Sequence, residues 1–152
     1  MDSLVDVLHH FGYDPEGILS VRNEIALQES GIRYVLKIDG GRRSAYYQID
    51  GNVITVGARC DKMILVEEGN QWDQLFIELK GKDVLHAITQ LETTIANPLL
   101  SDNSICNKYA RIVAKAFPAN RANPNVERAR DRFRKKYNCR LKTLKSNQPD
   151  AL

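Results

Sequence analysis

The spacing of hydrophobic and polar positions changes several times along this 152-residue chain. Apolar residues at helical spacing predict helices over residues 3–11 and about 16–30, with Gly31 as the stop of the second helix. β-prone runs separated by turn residues then predict an antiparallel meander of five strands, at residues 33–38, 44–49, 53–56, 61–67 and 74–80. The turns between these strands are expected at residues 39–42, at Asp50-Gly51 and at residues 68–73.

The helical period returns after the fifth predicted strand. Residues 82–100 follow a 3.6-residue spacing behind Asp83, which is a suitable N-cap. The pattern of the remaining residues predicts a strand at 109–117, a helix at 123–138 and a last strand at 139–145. A loose tail is expected at 146–152. This order predicts one α/β domain over residues 1–152, with a mixed sheet and helices on its faces.

The composition indicates the cellular compartment in which such a domain is expected. Hydrophobic residues make up 43% of the chain and charged residues 27%, an ordinary globular balance. No apolar run approaches the roughly 20 residues of a membrane span. The first residues are acidic where a secretory signal is basic, and the three cysteines form no C-x-x-C pair. We therefore expect a cytoplasmic protein with no membrane contact.

Positive charge is concentrated in the C-terminal part of the chain. Residues 1–120 hold 12 basic and 16 acidic side chains, whereas residues 121–145 hold 10 basic and 2 acidic ones. A basic block behind an acidic body indicates a polyanionic partner such as nucleic acid, and a solvated helix face is the alternative. The side chains expected to contact phosphates are those opposite the apolar stripe of the basic helix: Arg128, Arg132, Lys135 and Lys136.

Two charges interrupt the most apolar strand, in the run "LFIELK" of residues 75–80. Side chains two residues apart in a strand share one face, so Glu78 and Lys80 project together while the intervening apolar side chains fill the other face. Antiparallel pairing across the turn at 68–73 places Asp61 opposite them. Facing carboxylates repel unless a cation lies between them, and such oxygen ligands suit Mg²⁺ or Mn²⁺. A buried ion pair of Lys80 with either acid, without metal, is the alternative.

Asp61, the run "IELKG" and the helix that follows it together resemble the PD-(D/E)XK nuclease superfamily. The resemblance covers roughly residues 16–117 and implies a restriction-endonuclease-like αβββαβ core. The basic segment 121–145 would then be an extension of that core. Two positions depart from the family pattern: Cys60 replaces the proline that names the motif, and Thr94 stands where some branches have a tyrosine.

The resemblance also implies roles for individual residues. Asp61 and Glu78 correspond to the metal-binding acids, with a further contact expected from the Leu79 carbonyl, and Lys80 corresponds to the catalytic lysine. Gln90 falls where several branches place a glutamine near the site. Glu24, on the predicted second helix, is a candidate for the additional acid that some branches use.

These roles predict a Mg²⁺-dependent or Mn²⁺-dependent nuclease that hydrolyses phosphodiester bonds of nucleic acid, DNA in preference to RNA. We expect it to work as a homodimer or as a subunit of a larger assembly, in repair, mobile-element biology or antiviral defence. Two alternatives remain at this stage. One is a catalytically inactive nucleic-acid-binding module on the same fold, and the other is a regulatory subunit whose basic helix binds an acidic protein.

Overall fold

The computed structural model describes residues 3–49, 60–79, 83–115 and 124–152. Within these ranges the protein is an α/β domain with a mixed seven-stranded sheet flanked by three α-helices and one short 3₁₀ turn at Pro98–Leu100. The α-helices and strands, in chain order, are α1 (Leu4–His10), β1 (Ser20–Glu29), β2 (Ile32–Gln48), β3 (Lys62–Glu68), β4 (Gln71–Leu79), α2 (Val84–Ile95), β5 (Ile105–Ala114), α3 (Pro124–Tyr137), β6 (Cys139–Lys145) and β7 (Pro149–Asp150).

The sheet runs in the order β1-β2-β3-β4-β5-β6, and β7 pairs with β2. The first four strands are antiparallel neighbours, and the antiparallel pairing predicted between residues 61–67 and 74–80 is confirmed by β3 and β4. β5 and β6 each follow a helix and pair in parallel with the strand before them. The sheet is therefore mixed, as the order of elements predicted, and the bounds predicted for the last strand are those of β6.

The predicted helix at 16–30 is wrong, because residues 20–29 form β1. Ile25 and Leu27 are buried while Ala26 between them is exposed, which is the two-residue period of a strand. Gly31 ends no helix. With Ser30 it forms the two-residue turn of the β1–β2 hairpin, and both residues have positive φ (52° and 77°), as the turn type best suited to hairpins requires.

The turn predicted at residues 39–42 is also wrong, because β2 continues through it as one strand of 17 residues. The pairing of β1 with β2 shifts at this point: Arg22 faces Arg42, whereas Glu24 faces Lys37. The extra residues of β2 form a wide bulge whose two glycines have positive φ (74° and 70°). The bulge lets the first half of β2 leave the plane of the sheet.

The two faces of the sheet are covered differently. All three helices contribute to one apolar cluster, the helix-side cluster, which contains Leu8, Leu91, Phe133 and the strand residues Met63 and Phe76. The opposite cluster, the strand-side cluster, is made only of strand residues in the described parts of the chain. Its members from the β1–β2 hairpin are Ile25, Leu27, Ile32, Tyr34, Leu36 and Ile38, packed on Ile64, Leu75 and Ile77. The hairpin thus folds back over the face that the helices leave open.

The loose tail predicted after residue 145 is wrong. Asp150 is buried, and its carboxylate accepts hydrogen bonds from Arg111 Nε (2.6 Å), the Tyr34 hydroxyl (2.6 Å) and Lys142 Nζ (3.1 Å). Pro149 and Asp150 pair in parallel with Val35 and Leu36 of β2. Burial acts to raise the pKa of Asp150, but the bonds from Tyr34 and Arg111 and the charge of Arg111 outweigh it and hold this pKa below its ordinary value.

No helix of the described ranges is both long enough and apolar enough to span a membrane. The predicted hairpin at Asp50-Gly51 and the predicted strand at residues 53–56 lie outside the described residues.

Candidate functional site

Asp61 and Glu78 meet at the ends of β3 and β4, where the sequence pattern predicted them. The β3–β4 pairing aligns Lys62 with Ile77, so that Asp61 falls opposite Glu78. The amide of Asp61 donates to Glu78 Oε1 (3.1 Å), and the amide of Leu79 donates to Asp61 Oδ2 (2.8 Å). Both side chains are buried, with Asp61 5% and Glu78 0% exposed. The two strands therefore exchange carboxylate-to-amide bonds through this pair.

Helix α2 is connected to the carboxylate pair through Cys60, the residue before Asp61. The amide of Cys60 donates to Thr94 Oγ1 (2.7 Å), and the Thr94 hydroxyl donates to the Gln90 carbonyl (2.7 Å). Gln90 lies one turn before Thr94 on the buried side of α2 and is only 8% exposed. The side of α2 that carries Gln90 thus faces the start of β3.

The environment of the pair is dry and negatively charged. Cys60 is fully buried beside it, and burial, followed by the nearby Glu78 carboxylate, raises the pKa of its thiol far above the ordinary value. Cys60 is therefore a neutral filler in the helix-side cluster and not a nucleophile.

The structure does not describe Lys80, so the contacts of the proposed catalytic lysine lie outside the described residues. Leu79 is described: its side chain belongs to the strand-side cluster, and its amide binds Asp61. Among the described residues, no group of three or more histidine, cysteine, aspartate or glutamate side chains is close enough together to hold a metal. In this part of the chain, the side chains that face each other and could bind a cation are the carboxylates of Asp61 and Glu78.

Sequence reasoning missed a buried cation near this end of the sheet. Lys62 directly follows Asp61, is 9% exposed, and its ammonium contacts Gln48 Oε1 and lies 3.5 Å from Glu16 Oε1. A signal was present in the sequence, because a lysine at the start of an apolar strand needs a polar partner. Lys62 alternates with Asp61, so it points to the other face.

Glu24 is not brought to the pair. It lies on β1, the edge strand, and its carboxylate contacts Lys37 Nζ. Its neighbour Ile25 faces the strand-side cluster, so Glu24 points away from that cluster, and its side chain is 43% exposed. The Lys37 ammonium, by hydrogen bonding and charge, lowers the pKa of Glu24. In this arrangement Glu24 belongs to a surface ion pair.

The basic helix α3 carries much of its charge in ion pairs. Arg132 binds Glu92 of α2 through two nitrogens (2.9 and 3.2 Å), and Lys135 binds Asp131 (2.9 Å). Arg128 contacts Asn125 (3.0 Å), and Lys136 lies over the Tyr137 ring. Among the described residues, neither Arg128 nor Lys136 has a carboxylate partner, so no neighbouring acid there offsets their charge.

The direction of α3 sets how near each cation lies to the carboxylate pair. β4, β5 and β6 are parallel and end together, with Leu79 facing Val113 and Val113 facing Leu144. α3 packs on β6, and a single residue, Asn138, joins the end of the helix to the start of the strand. α3 therefore runs antiparallel to β6 and begins at the end of the sheet where Glu78 lies. Arg128 is therefore the predicted phosphate-contacting residue at the pair's end, and Lys136 is about 12 Å further along the helix axis.

Comparison of the chain with models of known families, with curated proteins and with solved structures finds no match. The site is therefore interpreted from its own geometry. It consists of two buried carboxylates, a glutamine on the buried side of α2 and a basic helix that begins at the same end of the sheet.

Proposed function

We propose that this protein is a Mg²⁺-dependent nuclease that hydrolyses phosphodiester bonds in nucleic acid, DNA in preference to RNA. The observation that carries the proposal is a pair of hydrogen bonds, from the Asp61 amide to Glu78 and from the Leu79 amide to Asp61, which hold two buried carboxylates at the end of the sheet. The more specific restriction-endonuclease-like core and an intracellular role in repair, mobile-element biology or defence belong to the same proposal.

The donor set fits a hard divalent cation. Asp61 and Glu78 each use one carboxylate oxygen for an amide, and Mg²⁺ commonly takes only one or two carboxylates and keeps several waters. When bound, such an ion would neutralise charge on the scissile phosphate and lower the pKa of a water. The Leu79 carbonyl is proposed as a third protein ligand.

The chain's own residues would supply positioning. Lys80, two residues after Glu78, is proposed to orient the attacking water, and Gln90 to restrict its access from the α2 side. Arg128 and its neighbours on α3 would hold the phosphate backbone without reading bases. The buried setting of the pair favours this chemistry, because charge interactions are stronger where water is excluded.

One observation favours a second candidate, a nucleic-acid-binding module without cleavage. Each carboxylate of the pair already accepts an amide, so the strand ends can be held together without any metal. The two candidates differ in one property: only the nuclease needs divalent cations at Asp61 and Glu78.

The deciding experiment incubates purified protein with supercoiled plasmid, linear duplex, single-stranded DNA and RNA, each with Mg²⁺, Mn²⁺, Ca²⁺ or chelator. We expect cleavage with Mg²⁺ or Mn²⁺ that is lost in Asp61→Asn and Glu78→Gln. Asp73→Asn is the matched control, because Asp73 is a buried carboxylate at the other end of β4, bound to Asn107 Nδ2 (2.7 Å). Binding without cleavage under every condition would support the second candidate, and equal cleavage by all variants would remove the pair from the chemistry.

A further inference from the structure

The two edges of the sheet differ in how they are protected from pairing. β6, at one edge, exposes three cations along seven residues: Arg140, Lys142 and Lys145. Charged side chains on an edge strand discourage the addition of another strand. β1, at the other edge, runs for ten residues without proline and exposes Val21 (68%), next to the exposed Ile18 (78%). The charged side chains of β1 are of both signs, Arg22 and Glu24 among them, whereas the exposed charges of β6 are all positive.

Of the two charged residues at the middle of β1, Glu24 has a cation partner within the chain and Arg22 has only neutral partners. The Arg22 guanidinium donates to the backbone carbonyls of Ser44 (2.6 Å) and Ile18 (2.7 Å) and lies over the Tyr46 ring. All of these partners are neutral, and within the described residues Arg22 has no carboxylate partner. Glu24, two residues along the same edge, is 43% exposed in its contact with Lys37.

We propose that β1 is the interface of a symmetric dimer, in which a second copy of this chain adds its β1 antiparallel to the first. With the twofold axis at Asn23, Arg22 of each chain faces Glu24 of the other, and Val21 faces Ile25. Moving the axis by one residue in either direction sets Glu24 against Glu24 or Arg22 against Arg22. The sequence around Asn23 is thus complementary to itself in one register, and opposite charges directly across two strands are favourable there.

This dimer is independent of the proposed nuclease chemistry, because none of the hydrogen bonds that hold Asp61 and Glu78 together involves β1. The dimer would pair the two β1 edges and would bury the exposed Val21 of both chains. Its test is therefore an association measurement that needs neither metal nor nucleic acid.

The experiment is analytical ultracentrifugation of wild type, Arg22→Glu, Glu24→Arg and an equimolar mixture of the two variants. The wild type should dimerise. In a homodimer of either variant, residues 22 and 24 carry the same charge and face each other at two places. Because each of these two pairs contributes part of the affinity in the wild type, the dissociation constant should rise at least about tenfold. The mixture should recover the wild-type affinity as a heterodimer, because the two acidic side chains of one variant then face the two basic side chains of the other.

Two controls separate this interface from other causes. Glu127→Arg reverses an exposed acid on α3 and should leave the dimer unchanged. Val21→Lys tests the same edge without touching the contacts of Arg22, in case Arg22→Glu fails to fold, and should also weaken association. A monomeric wild type, or a dimer that neither Glu24→Arg nor Val21→Lys weakens, would overturn the proposal.

Discussion

Glu78 Oε1 lies 3.1 Å from the backbone amide nitrogen of Asp61 and accepts its hydrogen. Asp61 in turn accepts the amide of Leu79, the residue after Glu78 (2.8 Å). Each of the two buried carboxylates is thus held by a backbone amide of the neighbouring strand, and the pairing of the strands positions both acids. Their separation is therefore set by folding before any cation binds.

The first prediction concerns metal-linked stability. At a Mn²⁺ concentration of 100 times the dissociation constant, the wild type should gain about 2.7 kcal/mol in its free energy of unfolding. Glu78→Gln keeps an oxygen that can accept the Asp61 amide but removes one charge, so it should fold without metal and gain little from Mn²⁺. Urea unfolding with and without Mn²⁺ measures this, with Asp73→Asn as the control that keeps the gain. An undiminished gain in the Asp61→Asn/Glu78→Gln double variant would place the metal elsewhere.

The second prediction concerns the bond between α2 and the start of β3. Thr94→Val removes the acceptor of the buried Cys60 amide and should lower the free energy of unfolding by about 1–3 kcal/mol. Thr94→Ser should restore most of the loss, because it keeps the hydroxyl. Thr89→Val is the matched control: Thr89 is exposed on the same helix, and its hydroxyl bonds the Leu85 carbonyl. A Thr94→Val variant as stable as Thr89→Val would contradict the role given to this hydroxyl.

The third prediction separates the cations of α3. Arg128→Gln and Lys136→Gln should each flatten the log–log salt dependence of DNA binding by about 0.9, the counterion release expected per phosphate contact. Arg132→Gln should change it less, because Glu92 already neutralises Arg132. Fluorescence anisotropy over a salt series with two unrelated duplexes measures both the slope and the lack of sequence preference. Unchanged slopes in all three variants would remove α3 from the binding surface.

The fourth prediction concerns acid stability. The pKa of Asp150 is lowered in the folded protein from its ordinary value of 3.8, so the stability it provides is present above that value and is lost as the pH falls through the folded pKa. Asp150→Asn should cost about 3–5 kcal/mol at pH 7, because it leaves Arg111 buried without its anion.

The difference between wild type and Asp150→Asn should shrink as the pH falls below about 4, because the unfolded wild-type chain then takes up a proton at Asp150 that the folded protein, with its lowered pKa, does not. Chemical denaturation at a series of pH values measures it. Asp131→Asn is the control, because Asp131 also has a pKa lowered by its lysine and arginine neighbours but is solvent-exposed on α3. A gap between wild type and Asp150→Asn that stays constant with pH would exclude linkage through this carboxyl.

Much of the central fold could be predicted, because the signals there are local. The alternation of residues 75–79 indicates which side chains share a face, and the turn at 68–73 sets the register that brings Asp61 to Glu78. Asp83 caps α2, as its position before a periodic run predicts. The site could be located from the sequence because both acids lie on two strands joined by a short turn.

The errors occurred where distant partners decide the structure. Residues 20–29 have apolar positions that fit either period, and their pairing with β2 selects the strand. The residues around Asp150 have no local signal of order, because the partners Tyr34 and Arg111 are remote in sequence. The misplacement of Glu24 followed from the first error, since an acid on an assumed helix was assigned to a site that the strand does not reach.

The pairing of β7 with β2 has a consequence for how the chain matures during translation. Tyr34 and Asp150 are 116 residues apart, yet they share a buried hydrogen bond. The β1–β2 hairpin can form as soon as it leaves the ribosome, but Leu144 joins the strand-side cluster, and β7 pairs with β2, only after residues 139–150 have been synthesised. Until then the nascent chain exposes the apolar face of its hairpin, and a chaperone that shields this face would raise the yield of folded protein.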